Sequence, residues 1–267
     1  MMNISFRLET IADHYAVEEL TREAFWKFWE TDYKVTDVHL LVHRLRSASG
    51  FVPELNYVAE ADDQLSGHII YSKSNVVDDC GQFYETLTFG PLSVLPEFQG
   101  KGVGQALMRF TFEKAKALGY RAVIIFGHPD YYPRVGFRRA SEFGITTSKG
   151  KSFDALMAYP LYDGALDGIS GKYHIDPVYD DLTQEDALEF DKRFSAKEPF
   201  IPTPIDVLLD ELEPAARAAI EGIKRSSLQM MTAKSEREVS SLPGIDEKAI
   251  ETIRSVLREN GIPWGER

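Results

Sequence analysis

A chain of 267 residues, 43% hydrophobic and 12% aromatic, is long enough to bury one large domain, or one domain with a smaller companion. Its 42 acidic against 30 basic residues give a net charge of −12, which disfavours nonspecific attraction to nucleic acid or an anionic membrane and suits a cationic partner better. No stretch reaches the ~20 uncharged apolar residues of a membrane span, and the start "MMNISFRLET" lacks the profile of a secretory signal. A cytoplasmic protein is expected.

Taken in chain order, "ISFRLET" reads as a strand and "DHYAVEELTREAFWKFW" as a helix, with Ala16, Leu20, Ala24 and Phe25 at helical spacing. A second helix, "VTDVHLLVHRLRS", precedes two β-rich runs that flank the turn composition of residues 61–67, the signature of a hairpin. The single cysteine, Cys80 in "VVDDCGQ", is expected as a free loop thiol. In "YETLTFGPLSVL" a strand is interrupted by Gly90 and Pro91, where a ladder should bulge or break.

The next stretch, "VLPEFQGKGVGQAL", places Gly100, Gly102 and Gly104 between that strand and a helix whose face is built by Val103, Leu107, Phe110 and Leu118, ending at Gly119. A strand, "RAVIIFG", follows at once, so a parallel strand-helix-strand crossover is expected, with the glycine turn at the carboxyl end of its first strand. Glycines allow close approach and unusual dihedrals, and the first amides of a helix lack partners, so this turn is suited to an anionic ligand. A tight strand-to-helix connection is the plainer alternative.

"SFDALMAYPLY" supplies a further strand, and the chain then turns polar and proline-punctuated as far as "FIPTPID", which sets a boundary near residues 200–205. Beyond it "LEPAARAAIEGIKRSSLQMM" and "DEKAIETIRSVLRENG" read as helical, the latter capped by Asp246, closed by Gly261 and stopped by Pro263.

"LSVLPEFQGKGVGQALM" resembles the acyl-coenzyme A motif of the GCN5-related N-acetyltransferases, Gln/Arg-x-x-Gly-x-Gly/Ala, with Gln99, Gly102 and Gly104 at its defining positions. "DYYPRVGF", residues 130–137, is similar to that family's later Tyr-x-x-x-Gly-Phe element. The resemblance implies an α/β fold, a mixed and mainly antiparallel sheet flanked by helices, over residues 1–165. A connecting segment, 166–204, and a small all-helical domain, 205–267, would follow.

By position, the resemblance implies that the amides of Gly100, Lys101, Gly102, Val103 and Gly104, after Gln99, cradle the pyrophosphate of acetyl-coenzyme A. Leu92, Ser93 and Val94 would offer backbone groups to its pantetheine arm, as a strand edge takes an added strand. The implied reaction is direct acetyl transfer to a primary amine of a small molecule or peptide, with no metal. Tyr132 stands at the family position of the general acid. For the base, Thr88 occupies the place where some members carry a glutamate, and alternation turns Glu85 to the opposite face. His128, at the end of the next strand, is the candidate base; a water chain is the alternative.

His39 and His43 stand four apart on one helix, but no further ligands accompany them, so a helix-face or pocket-lining role is expected rather than zinc. Phe25, Trp26, Phe28, Trp29 and Tyr33 are expected in the core, with some at the mouth of an acceptor site beside Glu30 and Asp32. The C-terminal "SEREVSSLPGIDEKAIETIRSVLRENGIPWGE" is similar to the helix-hairpin-helix-like C-terminal domain of the RNA polymerase α subunit. Its hairpin carries Asp246, which repels phosphate, and residues 206–267 hold 12 acidic and 9 basic side chains, favouring packing or protein binding over DNA. A non-catalytic acyl-coenzyme A-binding protein, or a regulator with a C-terminal interaction module, is the alternative to an enzyme. A homo-oligomer is compatible with either.

Overall fold

A computed structural model describes residues 2–26, 35–127, 131–198, 201–232, 234, 236–262 and 264. The chain divides into two units: Met1–Phe25 with Thr36–Ser195, and Trp26–Val35 with Ala196–Arg267.

The first unit carries strand β1 (Ile4–Leu8), helices α1 (His14–Phe25) and α2 (Val38–Leu45), then β2 (Tyr57–Ala61), β3 (Gln64–Val77) and β4 (Phe83–Val94). Helix α3 (Val103–Ala117) leads to β5 (Ala122–Phe126), short strands β6 (Arg138–Arg139) and β7 (Ile145–Thr147), β8 (Leu156–Pro160), β9 (Gly171–His174) and helix α4 (Gln184–Asp191). The strands form one mixed, mainly antiparallel sheet in the order β1-β2-β3-β4-β5-β8-β6, with β7 and β9 off that path. The long β3 has two partners along its outer edge, β2 opposite Gln64–Ile69 and β9 opposite Asn75–Val77.

The expected hairpin joins β2 and β3 through Asp62 and Asp63, both at positive φ, the geometry of a tight two-residue turn. The ladder between β3 and β4 shifts register between Ile69 and Tyr71, opposite Gly90 and Pro91, as their sequence signalled. The crossover from β4 through α3 to β5 is parallel, with Leu87 opposite Val123.

Alternation sorts the sheet into two faces. Ile69, Tyr71, Leu87, Phe89, Val123 and Ile125 meet Val103, Leu107, Met108 and Phe112 of α3. On the other face Val58 meets Val17 of α1 and Val42 of α2. Leu118, expected on the buried face of α3, is half exposed, because it is the C-cap and lies past the last turn that faces the sheet. The end of α3 is a Schellman motif: Gly119 has φ +90°, its amide donates to Lys116 O, and the Tyr120 amide reaches Ala115 O.

Residues 166–204, expected as a connection, contain β9 and α4, and both belong to the first unit. α4 is fixed by charge: Arg22 of α1 donates to Asp191 through Nε and Nη2 at 2.6 and 2.8 Å, and His39 Nε2 of α2 lies 3.1 Å from the same carboxylate. Phe190 and Phe194 pack against the His39 ring. The two histidines thus face separate carboxylates, since His43 Nδ1 lies 2.9 Å from Glu18. α1 ends at Phe25; Phe28, Trp29, Glu30, Asp32 and Tyr33 lie outside the described residues. Cys80 is an exposed free thiol in the turn between β3 and β4.

The second unit is helical: α5 (Asp206–Leu209), α6 (Pro214–Gly222), α7 (Leu228–Met231), α8 (Glu236–Ser240) and α9 (Glu247–Glu259). The helical stretch 212–231 is broken at Lys224, which has positive φ, and restarts where the Ser227 side chain caps α7. Asp246 caps α9 by accepting the Ala249 amide at 2.8 Å, and Gly261 closes it at φ +66°. Pro263 is outside the described residues. Leu208, Ile220, Leu228, Met231, Val239 and Ile253 form this unit's core. No described helix is long and apolar enough to cross a membrane.

Candidate active site

The turn from β4 into α3 is set by two left-handed glycines, Gly100 at φ +72° and Gly102 at φ +85°, the latter capping the helix. L-residues are strained at both. A side chain at either would meet nothing within 4 Å, so the space in front of the turn is open. Among the described residues, no chain acceptor takes the amides of Gly102, Val103, Gly104 or Gln105, while Gly102 O accepts from Ala106 and starts the helix. Gly104 is constrained differently: a Cβ there would lie 3.4 Å from Val94 Cγ2, 3.5 Å from Leu92 Cδ2 and 3.6 Å from the Tyr131 hydroxyl. Lys101 is exposed, with Nζ 5.7 Å from the centre of the Phe98 ring.

The strand end beside this turn has a free edge. The Leu95 amide donates to Ser66 O at 2.9 Å, which makes Gly67 and Val94 a non-hydrogen-bonded pair. Alternation then turns the backbone groups of Val94 and Leu92 away from β3, towards β5, and those of Ser93 towards β3. The Ser93 hydroxyl is also engaged, 3.0 Å from Thr21 Oγ1 of α1. Of the three residues expected to line the pantetheine arm, Leu92 and the Val94 amide point away from β3, while the backbone groups of Ser93 point at it. Gln99 donates through Nε2 to Val94 O at 3.0 Å, tying the turn to this edge. Beyond Leu87 opposite Val123, β4 and β5 are no longer paired, so the two parallel strands part here.

Tyr132 stands at that gap. Pro133 and Gly136, at φ +102°, bound a single 3₁₀ turn, Tyr132–Val135, and buried Phe137 anchors it in the core. The Tyr132 ring lies 6.0 Å from Phe89 and 5.3 Å from Phe137, centre to centre, and packs on the backbone of Gly127. Its hydroxyl has no hydrogen-bond partner among the described residues. Burial, and Tyr131 beside it, hold the phenol well above its ordinary range, so it keeps its proton at neutral pH. His128 lies outside the described residues. Glu85 is exposed and pairs with Lys73 at 3.2 Å, and Thr88 is buried on the face away from α3. No group of three or more histidine, cysteine or carboxylate side chains suited to a metal occurs among the described residues.

Sequence reasoning passed over Tyr131 and Gly127. Tyr131 was hidden by its neighbour, which carries the motif position; Gly127, a glycine directly after an apolar strand and five residues before Tyr132, was a usable signal.

A mixed sheet whose two central parallel strands part beside a glycine-turned helix end is the frame of the first unit. The chain belongs to the acetyltransferase (GNAT) family, whose model matches residues 18–139. The uncharacterized N-acetyltransferase YhbS of Escherichia coli strain K12 is 30% identical over 171 residues, spanning 63% of this chain and 95% of YhbS. The crystal structure of E. coli YhbS in complex with CoA is similar at a TM-score of 0.58 and 24% identity, over 67% of this chain and 93% of that one. A GNAT family acetyltransferase from Brucella melitensis in complex with acetyl-CoA gives a TM-score of 0.52 at 24% identity, over 66% of this chain and 98% of that one. These two structures share the fold of the first unit.

Proposed function

We propose that this chain transfers the acetyl group of acetyl-coenzyme A directly to a primary amine of a small molecule or peptide. The observation that carries this reading is the set of unpartnered amides at Gly102–Gln105, opening onto clear space beside the backbone of Leu92 and the amide of Val94, which point away from β3. Such amides, with the dipole of α3 behind them, suit a pyrophosphate; a strand edge suits the amides of a pantetheine arm. The CoA and acetyl-CoA held by the two structural relatives agree with it.

In this reading the carrier supplies the thioester. The amine nitrogen bonds to the acetyl carbon, the carbon–sulfur bond breaks, and the Tyr132 hydroxyl gives its proton to the departing sulfur. The amine must arrive unprotonated or lose its proton to His128 or to water. The helical second unit serves packing or protein binding, in keeping with its acidic balance.

Calorimetry with acetyl-coenzyme A and thiol release across an amine panel test this. Binding that Gly102→Trp abolishes, together with amine-dependent thiol release, is expected. Binding without release for any amine would favour a non-catalytic acyl-coenzyme A-binding protein, and no binding by folded chain would remove the proposal.

A further inference from the structure

The last residue of β5, Phe126, is 49% exposed, and its ring stacks on that of Phe153, 48% exposed, at 5.8 Å and 23°. Scattered exposed rings are ordinary, but two stacked ones form a patch. Its position is fixed by the sheet. Phe126 pairs with Leu156, whose side chain belongs to the core on the face opposite α3, while Ile125 faces α3. Phe126 therefore lies on the face away from α3. The platform is braced: the Tyr173 ring lies 5.9 Å from Phe126, and its hydroxyl donates to Ile124 O at 2.7 Å. Phe153 is held by its own carbonyl, which accepts the Leu156 amide, and the Gly127 amide donates to Ala155 O at 2.8 Å.

The next residue, Gly127, is where the Tyr132 ring packs. One step of β5 backbone thus separates the platform from the proposed acid. The helix end that would hold the carrier's phosphates belongs to α3, on the opposite face, which leaves the platform side open to an acceptor. From this geometry we infer that the acceptor is a primary amine bearing an aromatic ring, which lies on Phe126 and Phe153 with its amino group in the gap between β4 and β5. This rests on the acetyl-transfer reading above. A ring-bearing amine covers apolar surface that a small polar amine or a diamine leaves wet, which converts to selectivity.

The test compares kcat/KM for phenethylamine, ethanolamine and putrescine in the full chain and in Phe126→Ala, Phe153→Ser and Phe126→Leu, with calorimetry of phenethylamine binding to the coenzyme A-loaded protein. Expected is a preference for phenethylamine of about tenfold or more, erased in Phe126→Ala and Phe153→Ser and partly kept in Phe126→Leu, with KM for acetyl-coenzyme A unchanged. Should Phe126→Ala fail to fold, Phe153→Ser, in a loop, carries the same expectation. Protein that binds acetyl-coenzyme A but either fails to bind phenethylamine or keeps its amine selectivity in these variants overturns the inference alone. Protein that does not bind acetyl-coenzyme A overturns the transfer reading and this inference together.

Discussion

The ring of Tyr132 occupies the space that a side chain on Gly127 would need: a Cβ there would collide with Tyr132 Cδ2 and Cε2 and approach Ile125 Cδ1 to 2.9 Å. Gly127→Ala should therefore push the ring off its seat. A displacement of about 1 Å costs about a hundredfold in rate, whereas overpacking costs about 1–3 kcal/mol in stability. The expected result is a large fall in kcat with acetyl-coenzyme A binding nearly intact. An alanine variant with full turnover would show that the position of this ring does not matter.

Tyr132→Phe removes a proton donor and almost no packing. Turnover should fall by about 10²- to 10⁴-fold, with little change in acetyl-coenzyme A affinity or melting temperature. Steady-state rates beside calorimetry decide it, and wild-type kcat in the phenylalanine variant would retire the assignment.

Asp191 links α4 to α1 and α2. Burial on its own would raise its pKa, but His39 and Arg22 prevail and hold it below the ordinary range. Asp191→Ala removes the carboxylate that Arg22 of α1 and His39 of α2 share with α4, and the urea midpoint should fall. A urea midpoint unchanged in Asp191→Ala would count against α4 as part of the first unit's fold.

His68 makes stability pH-dependent. The Asn56 amide nitrogen donates to Glu9, so its oxygen faces His68 Nε2 at 2.8 Å and the imidazole donates there. Burial lowers the His68 pKa from 6.5 to about 4, against the opposing pull of Glu9, with Arg46 and His14 adding to the fall. Between those values the unfolded chain binds more protons than the folded one, so stability drops as the pH falls from 6.5, by about 3 kcal/mol at pH 4. His68→Gln should flatten the loss between pH 7 and pH 5. Equal slopes in urea titrations of the two proteins would refute this.

A chain ending at residue 198 retains the glycine turn, the open edge and α4. We expect it to fold and to bind acetyl-coenzyme A with affinity near that of the full chain, as judged by circular dichroism and calorimetry. Insoluble or non-binding protein would show that the second unit is needed by the first.

What the sequence disclosed is what local rules govern. Gly100, Gly102 and Gly119 mark their turns because L-side chains are strained at positive φ, and the β2–β3 hairpin follows from its two aspartates between β-rich runs. β9 was missed because "GKYH" has no strand periodicity of its own; its register depends on Val77 and Ile145, distant in sequence. α4 was missed for a similar reason, since most of its surface is polar and an ion pair to Arg22 fixes it. Around the candidate site, the glycine turn could be read from its composition and Tyr132 was singled out only by the resemblance of its motif, whereas the opposed orientations of Ser93 and its neighbours needed the β3 register, and the Phe126 platform needed the β5–β8 pairing.

The two-partner edge of β3 has a consequence for how the chain is made. β2 precedes β3 and can pair with Gln64–Ile69 as soon as the hairpin closes, but Asn75–Val77 wait for residues 171–174. On the ribosome, that stretch of backbone stays open to any passing strand while α3, β5 and β8 are still being synthesised. A nascent chain stalled before residue 171 would thus carry its adhesive edge in the middle of the protein, far from either end.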